Sequence, residues 1–529
     1  MGESKLRATY LSQLGIARIV IMLVHTIVRT RIVLLSALTI FTLSFVGSLA
    51  VAPAGLAQPN GAKPLTASAT AREQQVEDTL SRISSNSVAL QEFFTELPKG
   101  ADLHQHLSGT VYAESLLAWA AEDGLCIDQV TYVASPPPCT STQSAAASLL
   151  SNPVAQSQVI ANWSMRMFVP TNTFSGHDHF FATFGKFNFV LNTPGRTGDA
   201  LAEALSQAAA DSVLRIETKL SPNASGSSRL AQALVESGSQ SFKDPARFSE
   251  AMALLTSAGL DEVARESILK TDELVNRSNA VLACGTPAPL PGCQVNLGLV
   301  AQINRNSAPA NVFAGLATGF ATAAIDSRWV AVDLVSPEDG LRALNDYVLH
   351  MEMVRFFRSL YPQVKVTLHA GEFVPGTVPA PAMRSHINEA VFRANADRIG
   401  HGVSIRSAQN AQALLRHMRE RGVTVEISLT SNEQILGVKA AASQFPIYLS
   451  AGVPVVLSTD DAGVARTDLT REYVKAFRWF DLTYRELKDL SYQSIDSAFV
   501  SQTERKRLIR LLDARFTAFE QEWARSNAA

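Results

Sequence analysis

The 529-residue sequence has little charge and no excess of either sign. Charged residues make up 18% of the chain, and 46 Lys and Arg stand against 48 Asp and Glu, for a formal net charge of −2. A chain without a basic surplus cannot neutralise a row of phosphates, so this composition disfavours DNA or RNA as a partner. Hydrophobic residues make up 47%, which is enough to form a large buried core and excludes wholesale disorder.

Charge is absent altogether from one long stretch near the start of the chain. Residues 32–57 contain no charged residue, whereas the 31 residues before them contain five basic residues and one acidic residue. A basic region, an apolar run and small residues at Gly55 and Ala57 are typical of a secretory signal, so we predict a signal peptide over residues 1–57. Translation from Met22 would give the basic region a more usual length. An uncleaved membrane anchor is the alternative, because the uncharged run is long enough to span a bilayer. In both cases we expect an exported protein, periplasmic or secreted in the first and anchored to face outside in the second.

Cysteine is scarce, with four in the chain, and the four fall into two close pairs. In a protein exported to an oxidising compartment, an even number of closely paired cysteines predicts local disulfides, here Cys126–Cys139 and Cys284–Cys293. Each pair brackets a proline-containing loop whose conformation a disulfide would fix. Four unpaired thiols are the alternative.

The part of the chain after the signal begins with a polar leader and a helical segment. Residues 58–72 are small and polar without an apolar period, which predicts a flexible leader. Apolar residues at helical spacing, among them Val76 and Leu80, predict an N-terminal helical extension over residues 73–98. This amphipathic stretch offers a surface for a homodimer.

Eight short β-rich runs follow, separated by segments whose apolar spacing is helical. They are residues 100–107, 213–220, 295–303, 329–335, 364–370, 396–402, 423–429 and 453–459. Eight alternating βα units predict a (β/α)8 TIM-type barrel over residues 99–525. The stretch between the first two runs is too long for a bare loop, which predicts a helical insertion at about residues 125–210.

Polar clusters lie at the ends of four of these strands. His104 and His106 are two residues apart at the end of the first strand, so both imidazoles point to the same side. The other clusters are His369 with Glu372, His401, and Asp460 with Asp461, which follow the fifth, sixth and eighth strands. Barrel active sites are built at the carboxyl ends of the strands, so these residues, remote in sequence, are predicted to converge.

Imidazole and carboxylate groups together suit zinc. We predict one Zn²⁺ per chain, with a coordination position left for water. Its predicted ligands are His104, His106, His369 and Asp460. Metal binding lowers the pKa of water to about 7. Glu372 is then placed to manage protons, and His401 to steady the hydroxide or the developing alkoxide.

The motifs LPKGADLHQHLSG, VAVDLVSPED, LHAGE, DRIGHG, SLTSN and LSTDDAG, in this order, resemble those of the adenosine deaminase family over roughly residues 96–520. The export signal, the N-terminal extension and the cysteine-containing loop are similar to those of the secreted, growth-factor-related adenosine deaminases. The resemblance implies hydrolytic deamination of adenosine, and of 2'-deoxyadenosine, to inosine and ammonia. It also implies a purine nucleoside as the small-molecule partner.

The resemblance further implies a role for each polar residue. The four predicted ligands match the family's zinc ligands, Glu372 matches the proton shuttle at purine N1, and His401 matches the group that orients the hydroxide. Asp461 matches the carboxylate that hydrogen-bonds purine N7. Two positions depart from the compact family members: Ser108 replaces an Asp that meets the ribose 5'-hydroxyl, and Ser336 stands where Gly is usual. We therefore expect the sugar contact and the floor of the pocket to differ.

Other side chains are candidates for substrate contacts or support. Phe180 and Phe184, one helical turn apart, resemble the family's apolar lid over the purine, with core packing as the alternative. His177 and His179 form a second His-x-His that opens a helix rather than ending a strand. We therefore interpret His179 as a capping or substrate contact rather than a metal ligand. Asp333, near the end of the fourth strand, either orients the substrate loop or supports a metal ligand.

Two other functions fit the same motifs. The first is a deaminase of another purine or of a modified nucleoside, because the motifs specify the reaction better than the sugar. The second is a nucleoside-binding or signalling protein with vestigial catalysis. The presence of all four predicted ligands together with Glu372 argues against the second.

Overall fold

The computed structural model describes residues 67–525. The predicted signal peptide, residues 1–57, and the first part of the predicted leader, residues 58–66, lie outside the described residues. Within residues 67–525, no helix combines the length and the hydropathy needed to cross a membrane.

Eight parallel strands form one sheet, in the order in which they occur along the chain. They are β1 Lys99–His106, β2 Val213–Leu220, β3 Asn296–Asn304, β4 Trp329–Val335, β5 Lys365–Ala370, β6 Arg398–His401, β7 Thr424–Ile427 and β8 Val455–Leu457. After β8 the chain returns to β1. The amide of His106 donates to the carbonyl of Asp460 (3.1 Å), and the amide of Asp460 donates to the carbonyl of His104 (2.9 Å). The sheet is thereby closed, and the predicted (β/α)8 barrel and its eight strands are confirmed.

The strands are apolar because they are covered on both faces. In β4, WVAVDLV, six of the seven residues are buried, as is usual for parallel strands that face a packed lumen on one side and helices on the other. Asp333 in β4 and Glu426 in β7 interrupt these apolar runs and are themselves buried. Buried carboxylates need partners, and both find them at the candidate site.

Helices connect the strands and surround the barrel. Those after β2 are Ala224–Glu236, Phe248–Ser257, Leu260–Val281, Pro309–Ile325, Leu341–Asn345, Tyr347–Leu360, Ala380–Asn388, Ala411–Arg421, Leu429–Leu436, Phe445–Ser450, Ala462–Ala465, Leu469–Phe480, Tyr484–Ser497 and Gln502–Arg525. Local sequence explains several starts. Before Tyr484–Ser497, the hydroxyl of Thr483 accepts from the amide of Glu486 while the Glu486 carboxylate accepts from the amide of Thr483, a capping box.

Two helices, Ala67–Ile83 and Ser87–Glu96, precede β1. The first begins inside the segment that the sequence predicts as a leader, because Ala67, Ala69 and Ala71 have high helix propensity despite the small, polar composition of this segment. A buried ion cluster joins this helix to the end of the chain: Nζ of Lys488 lies 2.8 Å from Glu73 and 2.6 Å from Glu520.

The insertion between β1 and β2 contains a small sheet as well as helices. Three short antiparallel strands, Cys126–Asp128, Ala134–Ser135 and Gln143–Ala145, pair with the first of them in the middle. The sequence predicts only helices here, since strands of two or three residues show no periodicity. The helices between β1 and β2 are Leu107–Thr110, Ala113–Glu122, Ala146–Leu150, Pro153–Asn162, Gly176–Leu191 and Arg196–Ala210.

Both predicted disulfides are present. Cys126–Cys139 joins the small sheet to its own loop with a Cα–Cα distance of 5.3 Å, and Cys284–Cys293 joins the ends of the loop before β3 with a distance of 5.6 Å. Both distances are usual for disulfides. Residues 67–525 therefore contain no free cysteine.

Candidate metal and active site

Three imidazoles and one carboxylate converge at the carboxyl ends of β1, β5 and β8. Nε2 of His369 lies 3.1 Å from Nε2 of His104 and 3.2 Å from Nε2 of His106. Oδ1 of Asp460 lies 3.4 Å from Nε2 of each of the β1 histidines. The structure thus brings together the four predicted ligands.

These distances fit a tetrahedral metal site. Zinc binds imidazole nitrogen and carboxylate oxygen at about 2.0–2.1 Å, and atoms at the corners of such a tetrahedron are roughly 3.3 Å apart. The four separations observed lie between 3.1 and 3.4 Å. The residues present therefore fit one divalent metal ion.

Gly400 and Gly109 leave space for the side chains of His104 and Asp461. A Cβ at Gly400 would lie 2.6 Å from Cε1 of His104, and a Cβ at Gly109 would lie 1.7 Å from Oδ1 of Asp461. Asp460 has a positive φ of 62°, an uncommon conformation for a residue other than glycine that is often found at functional sites. Close approach of the backbone therefore explains the glycines of the GHG and LSG motifs.

Two of the ligand imidazoles have a carboxylate beside their other nitrogen. Nδ1 of His104 lies 2.6 Å from Oε2 of Glu426, and Nδ1 of His369 lies 2.9 Å from Oδ2 of Asp333. The hydrogen bond with Glu426 keeps the proton of His104 on Nδ1 and leaves its Nε2 lone pair free for a metal. Asp333 positions His369 through the backbone, since its Oδ1 accepts from the amide of His369 (3.1 Å). Of the two roles predicted for Asp333, this geometry supports the one beside a metal ligand. Sequence reasoning missed Glu426, although a lone acid in the apolar run VTVEISL is a signal that could have found it.

Glu426 belongs to a buried chain of charges. Its Oε1 lies 2.6 Å from Nε of Arg398, and Nη2 of Arg398 lies 2.7 Å from Glu217. Burial alone would raise the pKa of Glu426, but the positive charge of Arg398 and the hydrogen bond with His104 outweigh it and lower the pKa to about 2. Glu426 is therefore an anionic acceptor for His104 at neutral pH.

Glu372 and His401 lie beside the ligand cluster. Nε2 of His401 is 3.7 Å from Oε1 of Glu372 and 4.0 Å from Oδ2 of Asp460, and its Nδ1 is 3.2 Å from Oδ1 of Asn432. Burial, reinforced by the negative charge of Asp460, raises the pKa of Glu372 to about 8. A raised pKa favours the protonated carboxyl, the form that can give a proton to a substrate nitrogen.

A cavity of about 660 Å³ opens onto these groups. Five predicted substrate contacts line it, namely Ser108, Phe180, Phe184, Ser336 and Asp461. Burial, together with the neighbouring carboxylate of Asp460, raises the pKa of Asp461. Lys219, which the sequence analysis did not single out, also lines the cavity, with its Nζ 3.2 Å from Asp333.

His179, the sixth predicted substrate contact, is not among the residues that line the cavity. Its Nε2 lies 3.0 Å from the carbonyl oxygen of Ser164, and its ring stacks on Phe168 with 4.3 Å between centroids. Consecutive helical residues point in different directions, so a helix that turns Phe180 and Phe184 toward the cavity turns His179 away from it. The structure therefore places His179 in the packing of the insertion.

Comparison with known proteins agrees with this site. Residues 279–515 match the family model described as adenosine deaminase. The match contains the predicted residues from His369 to Asp461, while β1 and its two histidines precede it. The chain is 35% identical over 151 residues to the adenosine deaminase of Enterococcus faecalis, covering 28% of this chain and 41% of that protein. It is 37% identical over 114 residues to the human N6-methyl-AMP deaminase, covering 21% and 32%. The chain thus spans less than half the length of these curated relatives.

A solved structure shares the fold. A cog1816 amidohydrolase from Burkholderia ambifaria, described with bound Zn, is 19% identical with a TM-score of 0.50, over 82% of this chain and 94% of that one. The resemblance drawn from the motifs is confirmed over residues 279–515, which match the adenosine deaminase family model.

Proposed function

We propose that the protein is a zinc-dependent adenosine deaminase that hydrolyses adenosine and 2'-deoxyadenosine to inosine and ammonia. The observation that carries this proposal is the juxtaposition of a four-donor metal site with Glu372 at the floor of one cavity. Neither part alone specifies deamination. Together they would supply the chemistry of hydrolytic deamination: the four residues would hold a metal ion that acts as a Lewis acid, and Glu372 would donate a proton to the substrate.

The proposed metal ion is one Zn²⁺ per chain, held by the ligands His104, His106, His369 and Asp460. Three imidazoles and a carboxylate without sulfur are a donor set that zinc accepts in catalytic sites. When bound there, the ion supplies Lewis acidity toward the water that attacks C6 of the purine.

The protein groups orient the base and move its protons. Glu372 gives its proton to purine N1 and so makes C6 more electrophilic. His401, held by Asn432, steadies the developing negative charge on the attacking oxygen. Oδ1 of Asp461 has no hydrogen-bond partner in the described part of the chain. With its pKa raised by burial, the protonated carboxyl of Asp461 can donate a hydrogen bond to purine N7, which is an acceptor. The rings of Phe180 and Phe184 supply an apolar wall for the base.

The cavity lining favours a nucleoside over a nucleotide. The human relative is named for a nucleotide, N6-methyl-AMP, and a phosphate requires cationic donors. Among the described residues that line the cavity there is no arginine, and Lys219 is already beside the carboxylate of Asp333. We therefore place AMP derivatives second to adenosine.

We also propose that the protein is exported, either periplasmic or secreted. The support is the composition of residues 1–57 and the two disulfides, which persist in oxidising compartments. A membrane anchor formed by the same residues is the alternative.

The test is ammonia release from adenosine, 2'-deoxyadenosine and AMP by the purified, zinc-loaded protein. We expect turnover of both nucleosides and a lower kcat/KM for AMP. The control is Glu372→Gln, which keeps the shape of the side chain but has no proton to give, and which should lose a factor of about 10² to 10⁴ in kcat while it retains zinc. Zinc-loaded wild type that leaves adenosine intact would refute the proposal, and a higher kcat/KM for AMP would replace the nucleoside with a nucleotide.

A further inference from the structure

The loop after β4 reaches the loop after β5 through a single side chain, that of Glu338. Oε1 of Glu338 accepts a hydrogen bond from the amide of Gly371 (3.1 Å), and Oε2 accepts one from the amide of Glu372 (2.8 Å). The Glu338 side chain is fully buried. One carboxylate therefore holds both amides of the turn from which the Glu372 side chain departs.

The turn has no other acceptor for these amides among the hydrogen bonds of the described chain. Strand β5 ends at Ala370, so the sheet does not pair the next two residues. Gly371 has a φ of +73°, and a Cβ there would come within 2.6 Å of Ile387 and of Ser404, so the turn requires glycine at this position. Because buried amides need acceptors, Glu338 determines the path of this turn.

Glu338 is itself held from its other side. Nδ1 of His386 lies 2.7 Å from Oε1 of Glu338. The ring of Tyr347 stacks on His386 with 3.5 Å between centroids, and its hydroxyl donates to the carbonyl of His386 (3.0 Å). Nη1 of Arg305 lies 4.0 Å from the same carboxylate oxygen. Glu338 does not line the cavity, so any effect that it has on the reaction passes through the turn.

We propose that Glu338 is a positioning residue for Glu372: by holding the amides of Gly371 and Glu372, it sets the direction in which the Glu372 side chain enters the cavity. The proposal rests on the proposed function for the reaction that Glu372 serves. The hold on the two amides is a property of the fold and can be measured without substrate.

The kinetic test is a double-mutant cycle. Glu338→Gln keeps the shape of the side chain but replaces one acceptor oxygen with an amino group, which cannot accept from a backbone amide. We expect kcat for adenosine to fall at least tenfold, with KM changed less than threefold and one zinc per chain retained. In the Glu372→Gln background the same substitution should lower kcat less than twofold, because residues that act through one another are not additive. An equal loss in both backgrounds would overturn the proposal.

Glu472 offers a matched control. It is buried, and its Oε2 likewise accepts from two successive backbone amides, those of Leu429 (2.7 Å) and Thr430 (3.2 Å), just after β7. Glu472→Gln removes an equivalent acceptor from another turn. Glu472→Gln should lower kcat by the same factor in the wild-type protein and in the Glu372→Gln variant.

Amide hydrogen exchange provides a readout that does not depend on activity. Glu338→Gln should speed exchange at Gly371 and Glu372 at least tenfold, whereas Glu472→Gln should leave these two amides unchanged. Unchanged exchange in Glu338→Gln would overturn the proposal even if kcat falls. If wild type does not deaminate adenosine, the proposed function fails and exchange alone decides the role of Glu338. Should Glu338→Gln not fold, Glu338→Asp, which is too short to reach both amides, is measured in the same two ways.

Discussion

Nδ1 of His104 lies 2.6 Å from Oε2 of Glu426, and this contact joins the proposed metal site to the buried charges of the barrel. The two residues stand 322 positions apart in the chain, on β1 and β7. Arg398 holds the other oxygen of Glu426, so the imidazole that it orients has little freedom to turn. Asp333 likewise lies beside a predicted ligand, with its Oδ2 2.9 Å from Nδ1 of His369.

Glu426→Gln tests this contact. We expect zinc affinity to fall about 10- to 100-fold, because the ring of His104 loses the anion that fixes its tautomer. Glu217→Gln is the control, since it also weakens a buried contact of Arg398 but touches no predicted ligand. Chelator competition measures both affinities. Equal zinc affinities in the two variants would remove Glu426 from the metal site.

His106→Ala should abolish both zinc binding and activity, because the site loses one of three imidazoles. His177→Ala, from the second His-x-His, should retain one zinc per chain, since His177 pairs with Asp339 and lies outside the ligand cluster. Elemental analysis after dialysis decides the matter. Stoichiometric zinc in His106→Ala would show that His106 is not a ligand.

The two disulfides should contribute to stability and not to turnover. Replacing Cys284 and Cys293 with Ser opens a loop of about ten residues, which in the chain-entropy account lowers the free energy of unfolding by about 3 kcal/mol. Neither cysteine lines the cavity, so kcat should stay within twofold of wild type. Denaturant unfolding and non-reducing peptide mapping are the measurements. Alkylatable thiols in the protein purified without reductant would contradict the pairing.

Ser108 should make the sugar site permissive. A neutral hydrogen bond is worth about 0.5–1.5 kcal/mol and a charge-assisted one about 1.5–3, so we expect kcat/KM for adenosine to exceed that for 5'-deoxyadenosine by tenfold or less. His179→Ala should leave this ratio unchanged, because His179 contacts the carbonyl of Ser164 rather than the cavity. A ratio above a hundredfold in wild type would show that another group has replaced the missing carboxylate.

His177 should make the stability of the helix Gly176–Leu191 depend on pH. Its Nε2 lies 3.2 Å from Asp339, which joins the helix Gly176–Leu191 to the loop after β4. Burial alone would lower the pKa of His177, but Asp339 and Asp178 outweigh it and raise the pKa above 6.5. The pKa of His177 is higher in the folded protein than in the unfolded chain. The pair with Asp339 therefore stabilises the folded state fully below pH 6.5, and this stabilisation is lost as pH rises through the raised pKa.

The effect of this pair is less than about 1 kcal/mol, because the side chains are partly exposed. As pH rises from 6.5 through the raised pKa of His177, amide exchange in the first turn of the helix Gly176–Leu191 should therefore increase modestly in wild type, after correction for the intrinsic effect of pH. His177→Gln should abolish the increase. If wild type shows the same corrected exchange below and above the raised pKa of His177, the pair of His177 and Asp339 does not stabilise this helix.

Much of this protein is readable from the sequence because the information is local. Eight apolar runs mark the eight strands, and the spacing of His104 and His106 places both imidazoles on one face without knowledge of their neighbours. The close cysteine pairs needed only short loops to meet. The convergence of His369 and Asp460 on that face followed from the rule that barrel sites form at the carboxyl ends of strands.

The tertiary structure alone decided which groups stand behind these residues and which way the insertion turns its side chains. The partner of His104 is on β7, and the acceptor for the amide of Glu372 is in the loop after β4, so neither is encoded by spacing along the chain. The sequence predicts a capping or substrate contact for His179, but the rotation of its helix, set by the packing of Phe180 and Phe184, turns His179 toward Ser164. Side-chain direction and long-range pairing depend on how whole elements pack, and a periodic pattern in one segment carries no information about its partner's position.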